Sequence, residues 1–107
     1  MFTRKYLKTL ITEFVLDLKS KGYNPSKVVL FGSYAKGNPR DHSDIDLAIW
    51  DEKFTGCAPI DVEAILKSKV KFPTLLELRT YHSSETEESD PFIGEIMKHG
   101  ILFEPNV

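Results

Sequence analysis

One cysteine in 107 residues leaves no internal disulfide, so the fold does not depend on an oxidising compartment and Cys57 is expected to be a loop or packing residue. Positive charge is not in excess: 14 Lys and Arg stand against 16 Asp and Glu, for a net charge of −2. That balance sets up no field to draw in a polyanion, and no nucleic-acid template is expected. The one basic cluster, Lys67, Lys69 and Lys71, reads as a solvated helix end. Long apolar runs are missing as well. Segments such as VVLF are short, whereas crossing a bilayer takes roughly 20 apolar residues, so no membrane partner is expected. With no signal-peptide pattern at its start, the chain is expected to be cytoplasmic. Repeats and linkers are lacking too, and 107 residues suffice for one core, so a single domain over residues 1–107 is expected.

The remaining composition, 41% apolar and 28% charged, is that of a globular chain, and its order sketches the elements. In TRKYLKTLITEFVLDLKSKG, Leu7, Leu10, Ile11, Phe14, Val15 and Leu18 recur at helical spacing, which predicts an amphipathic helix stopped near Gly22. KVVLFG predicts a short buried strand ended by Gly32, followed by one helical turn from Ser33 to Gly37 and a loop, GNPRDHS. DIDLAIW alternates as a strand, with Ile45, Leu47 and Ile49 on its core face and Asp44, Asp46, Ala48 and Trp50 opposite. Asp51, past its end, is expected to face water. Pro59 opens a second helix through IDVEAILKSKV. TLLELRTY predicts a third strand with Leu75, Glu77 and Arg79 on one face and Leu76, Leu78 and Thr80 on the other. SSETEESD reads as a solvated acidic loop. In DPFIGEIMKHG, Asp90 caps, Pro91 starts and Gly100 stops a short helix, and ILFE follows as a strand or extended tail. Together these predict an α/β fold of the α+β type, a small mixed sheet with helices packed mainly on one face.

The paired aspartates call for a physical reason. Carboxylates at i and i+2 of a strand share a face and lie close together, so they repel unless a cation sits between them. Oxygen-only ligands favour Mg2+, with Mn2+ also admissible, and Mg2+ typically takes one or two carboxylates together with phosphate oxygens and water. A phosphate-bearing ligand follows. Upstream, FGSYAKG offers Gly32 for close backbone approach, the Ser33 hydroxyl and the start of a helical turn; Lys36 and Arg40 add positive charge. Taken alone, the Gly-Ser pair is equally an ordinary turn and cap.

GSYAKG followed by SDIDLAI resembles the signature of nucleotidyltransferases of the DNA polymerase β superfamily, and of the minimal nucleotidyltransferases in particular. Gly32, Ser33, Gly37, Ser43, Asp44 and Asp46 match directly. The resemblance implies a nucleotidyltransferase fold in which Ser33 holds a triphosphate and Asp44 and Asp46 bind two Mg2+ ions. It implies attack of an acceptor hydroxyl on the α-phosphorus of a nucleoside triphosphate, ATP by preference, with pyrophosphate leaving. It also implies a third carboxylate on a later strand, which holds the metal nearest the acceptor and helps take its proton. Glu77 is the candidate, a glutamate where the family usually has aspartate. An ion pair with Arg79 on the same face is the alternative for Glu77, since a charge in an apolar strand needs a partner. His42 reads as a solvated loop residue or a phosphate contact, His82 and His99 as surface residues, and Trp50 and Tyr34 as core aromatics or base-stacking groups.

Larger members of the superfamily carry a further acceptor-binding domain, which is not expected here. Minimal nucleotidyltransferases are often paired with a helical HEPN protein, and several act as its antitoxin by transferring AMP to a tyrosine. The resemblance therefore implies a Mg2+-dependent transfer of AMP to such a partner, in a hetero-oligomer. Two other readings stay open: a small-molecule nucleotidyltransferase of the antibiotic-modifying kind, and a noncatalytic antitoxin with a relic nucleotide or metal site.

Overall fold

A computed structural model describes residues 2–40, 43–65 and 76–103. The first apolar stripe forms its helix: α1, Arg4–Ser20, buries Leu7, Leu10, Ile11, Phe14, Val15 and Leu18, the six residues that its spacing predicts. Thr3 caps it, its hydroxyl accepting from the Tyr6 amide at 3.1 Å. Next come β1 (Lys27–Phe31), the short helix α2 (Gly32–Lys36) and β2 (Ile45–Trp50). Gly37 ends α2 in the left-handed region at φ 80°, with open space around it, so its backbone conformation rather than crowding favours glycine. The chain continues through α3 (Ala58–Ala64), with Pro59 in its first turn, to β3 (Leu76–Tyr81), α4 (Pro91–His99) and β4 (Ile101–Phe103). The expected extension of the α3 helix, the lysine cluster and Leu75 lie outside the described residues.

The strands form one mixed sheet in the order β3-β2-β1-β4. β1 is antiparallel to β2 and β4, so a short connection through α2 suffices between β1 and β2. β2 and β3 are parallel, which demands a crossover, and the segment holding α3 supplies it. Period-two alternation then sorts the residues. Val28, Leu30, Ile45, Leu47, Ile49, Leu76 and Leu78 join the stripe of α1, Tyr34 from α2 and Ile65 beyond α3 in the larger core. The opposite face is covered at one end by α4: Val29, Ala48, Trp50, Tyr81, Ile93 and Ile96 form a second cluster. Trp50 and Tyr34 are therefore core aromatics, 1% and 6% exposed. No described helix is long and apolar enough to cross a membrane.

Asp51 departs from expectation. It is buried, because its carboxylate accepts from the amides of Asn24 at 2.7 Å and Lys53 at 2.8 Å and so ties two loops to the end of β2. A second buried carboxylate, Asp61 on α3, had no sequence signal. It accepts from Thr55 (amide 2.9 Å, hydroxyl 3.1 Å), the Gly56 amide (3.1 Å) and the Thr80 hydroxyl of β3 (2.7 Å). The acidic loop is likewise more than a solvated connection. The Glu85 carbonyl accepts from Trp50 Nε1 at 3.0 Å, folding residues 82–90 back over the second cluster.

Asp90 caps α4, as expected, by accepting from the Phe92 amide at 3.0 Å. At the other end, Gly100 lets the chain turn directly into β4: a Cβ there would stand 2.5 Å from the Ile96 carbonyl oxygen and 2.5 Å from Val29 Cγ1. Gly100→Ala is expected to destabilise the fold by about 1–3 kcal/mol through overpacking, read from urea denaturation midpoints at constant m-value.

Candidate active site

The register of the sheet brings the predicted acids together. Asp46, the second residue of β2, pairs with Phe31 of β1 on one side and Glu77 of β3 on the other. Asp44 stands just before β2, exposed, and Glu77 is also exposed. The face they share continues as rungs: Asp46 beside Glu77, Ala48 beside Arg79, Trp50 beside Tyr81. The helix α4 closes over the last rung and leaves the first open. The result is a cleft of about 530 Å³ whose lining includes Asp44, Asp46, Glu77, Arg79, Tyr81 and Phe92.

Asp46 is the most perturbed of these groups. Burial pushes its carboxyl up from 3.8 to about 6, and the charges of Asp44 and then Glu77 push in the same direction. Gly32 closes in on it from the turn between β1 and α2. Its φ of 75° lies in the left-handed region, and a Cβ at this position would collide with Asp46 Oδ2. Only glycine meets both constraints. Gly32 is thus the part of the Gly-Ser turn that packs on the Asp46 carboxylate. Ser33 is partly exposed at the start of α2, while Lys36 and Arg40 are exposed outside the cleft lining. The Ser43 hydroxyl accepts from the Arg40 amide at 2.6 Å, so it closes its own loop. His42 lies outside the described residues; His99 is exposed and His82 partly so.

The expected alternative for Glu77, an ion pair with Arg79, is not formed among the described residues. Arg79 Nε donates to the Tyr81 hydroxyl at 3.1 Å, and its guanidinium lies 4.2 Å from the centre of the Phe92 ring. Burial raises the Tyr81 phenol above its ordinary value, which the Arg79 hydrogen bond opposes. Phe92 had no signal as a site residue, because only the docking of α4 brings it over the sheet. Arg79 had one, its i+2 spacing from Glu77.

Among the described residues, no three acids, histidines or cysteines converge on a point where they could together hold a metal ion. The donor set still suits Mg2+, which is satisfied by one or two carboxylates when phosphate and water complete its shell. Three repelling carboxylates with a raised proton affinity at their centre are what such an ion relieves.

The chain matches the family model for the polymerase β nucleotidyltransferase domain over residues 15–105, which takes in every element from the last third of α1 to β4. It belongs to the polymerase β nucleotidyltransferase family. A relative in Methanocaldococcus jannaschii, which bears the name "Putative protein adenylyltransferase", is 39% identical over 69 residues, covering 63% of this chain and 69% of that protein. The mixed four-stranded sheet agrees with the nucleotidyltransferase fold, and the three acids lie on the segment that the family model spans.

In this member of the family the perturbed carboxyl has a stability consequence. A carboxyl that titrates near 6 when folded and near 3.8 otherwise binds its proton more tightly in the folded state. Folding is therefore favoured below 3.8, and that contribution is lost as pH rises through about 6. In metal-free buffer at pH 7.5, Asp46→Asn is expected to raise stability by about 1 kcal/mol, a modest gain because the carboxylate is still partly open to solvent. The gain should disappear as the pH is lowered below 4, as followed by denaturant titration in EDTA.

Proposed function

We propose that this nucleotidyltransferase transfers AMP from ATP, in the presence of Mg2+, to a hydroxyl group of a partner protein. The observation that carries the reading is the trio Asp44, Asp46 and Glu77 at the junction of β1, β2 and β3, with Gly32 packed on the central carboxylate. The name of the M. jannaschii relative favours a protein acceptor over a small molecule.

Asp44 and Asp46 are the residues that would hold Mg2+, with Glu77 on the β3 side. When bound, the metal supplies positive charge against the phosphates and lowers the pKa of the acceptor hydroxyl. The Gly32–Ser33 turn takes the β- and γ-phosphates, the Ser33 hydroxyl and the amides of the turn acting as donors. Lys36, Gly37, Arg40 and Ser43 shape and charge the rim of that loop. The acceptor oxygen attacks the α-phosphorus from the Glu77 side. A new P–O bond forms, the bond from the α-phosphorus to the bridging oxygen breaks, and pyrophosphate carries away that electron pair. The acceptor's proton passes to the Glu77 carboxylate, which is exposed and free to receive it.

The family resemblance favours a helical HEPN-type protein as acceptor, with this chain as its antitoxin in a hetero-oligomer. An apolar groove beside α1 and β4, lined by Leu7, Ile11, Val15, Leu30 and Phe103 among others, is a face that such a partner could cover.

Co-purification with the protein encoded beside it, followed by incubation with Mg2+ and ATP labelled at the α-phosphate, tests the reading. Label on the partner is expected, with none from ATP labelled at the γ-phosphate. Asp44→Ala should abolish it, and Glu77→Gln should slow it by about 10²–10⁴-fold, the usual contribution of a proton acceptor. Persistent labelling by Asp44→Ala would sink the metal assignment. Label in a small molecule would favour the antibiotic-type reading, and inhibition of the partner without any label would favour a noncatalytic antitoxin.

A further inference from the structure

We propose that Arg79 binds the α-phosphate of the nucleotide, an inference that rests on the nucleotidyl-transfer reading above. The cleft lining holds four carboxylates, Asp44, Asp46, Glu77 and Asp90, and Arg79 is its only basic residue among those described. A guanidinium in such surroundings ordinarily pairs with a carboxylate in bidentate fashion. Arg79 pairs with none of the four among the described residues. It is held from elsewhere, through Nε to the Tyr81 hydroxyl and through the face of Phe92.

That arrangement has two effects. The carboxylates stay free for cations, and the two terminal NH2 groups of Arg79 keep four N–H donors with no partner among the described residues. Paired donors in a fixed plane match two oxygens of one phosphate, and little side-chain freedom remains to be lost when they engage. Topology selects which phosphate. The Gly32–Ser33 turn follows β1, on one side of β2, whereas Arg79 stands on β3, on the other. Arg79 also shares the face of Glu77, two residues and about 7 Å further along the strand. A triphosphate whose tail rests on the β1 side therefore presents its α-phosphate, the one that stays on the nucleoside after transfer, to the β3 side.

The test is displacement of a fluorescent ATP analogue, in Mg2+, from the wild type, Arg79→Lys and Arg79→Ala. The competitors are α,β-methylene-ATP, AMP, adenosine and pyrophosphate. Arg79→Ala is expected to weaken α,β-methylene-ATP and AMP by about 10- to 100-fold while leaving adenosine and pyrophosphate within about twofold. Arg79→Lys should recover only part of the loss, since an ammonium lacks the planar fork. Unchanged affinity for AMP and the methylene analogue in Arg79→Ala overturns the inference. A loss for adenosine as large as for AMP assigns Arg79 to base stacking and overturns it as well. Equal weakening of all four competitors with a lower melting temperature makes Arg79 structural and likewise overturns it. If the wild type itself binds no nucleotide, the nucleotidyl-transfer reading fails and this inference falls with it.

Discussion

Asp46 is partly withdrawn from water and flanked by two like charges, and burial opposes its ionisation more than either neighbour does. An unfolded chain would simply keep these acids apart and hydrated. Folding forces them together because the register of β2 with β3 sets Glu77 beside Asp46, and because Gly32 shields one side of the carboxylate from solvent. The energy that holds this arrangement comes from the apolar rows on either side of β2, not from anything at the cleft. In that sense the site is a local cost that the rest of the fold offsets, and binding of a cation or a proton is the event that relieves it.

The two cores share this support unequally. Ile45, Leu47 and Ile49 lock β2 onto the large core that the stripe of α1 dominates, which fixes the height of Asp46 in the sheet. Ala48 and Trp50 face the other way, under α4. The cap at Asp90 and the tight turn at Gly100 decide where α4 lies, and therefore how far it covers the face that Asp46 and Glu77 share. Phe92, in the first turn of α4, touches Arg79 and meets Phe31 edge-on at 6.1 Å, so the helix that completes the minor core also shapes one wall of the cleft.

Local signals carried most of this. The apolar spacing of α1, the alternation in DIDLAIW, and the Asp90-Pro91 start of α4 each depend on contacts within a few residues, and each element forms where its pattern places it. The pair Asp44 and Asp46 was legible because strand geometry fixes which residues share a face, whereas Glu77 entered only as what the family resemblance implies. What the sequence could not display are interactions between distant segments. Asp51 looked like a strand-end residue facing water because one of its donors, Asn24, lies 27 residues earlier and becomes a neighbour only once the end of α1 is packed; its other donor, Lys53, is local. Asp61 was silent for the same reason, its partners lying on a loop and on β3. Glu77 read as a charge that needed a partner because burial was inferred from its apolar neighbours. The strand exposes alternate residues to the cleft, so no burial cost arises.

The buried and half-buried aspartates of this chain differ in a way that separates scaffold from site. Asp46 is the second residue of β2 and Asp51 follows directly after its last, so the same residue type flanks one strand in two different settings. Asp51 and Asp61 are nearly inaccessible, yet each accepts hydrogen bonds from backbone amides that would otherwise be unpaired. Such a carboxylate is structurally committed: removing it strands its donors at a cost of about 1–3 kcal/mol each. The Asp46 carboxylate accepts no hydrogen bond from any described residue and faces two carboxylates instead. Arg79, on the next rung of the same face, shows the complementary pattern, a cation with several donors left over. Charges of opposite sign sit in one cleft without pairing with each other among the described residues. Stability alone would favour pairing them, and the ligand of the proposed function, a metal-bound phosphate, carries the two charges that would answer both groups at once.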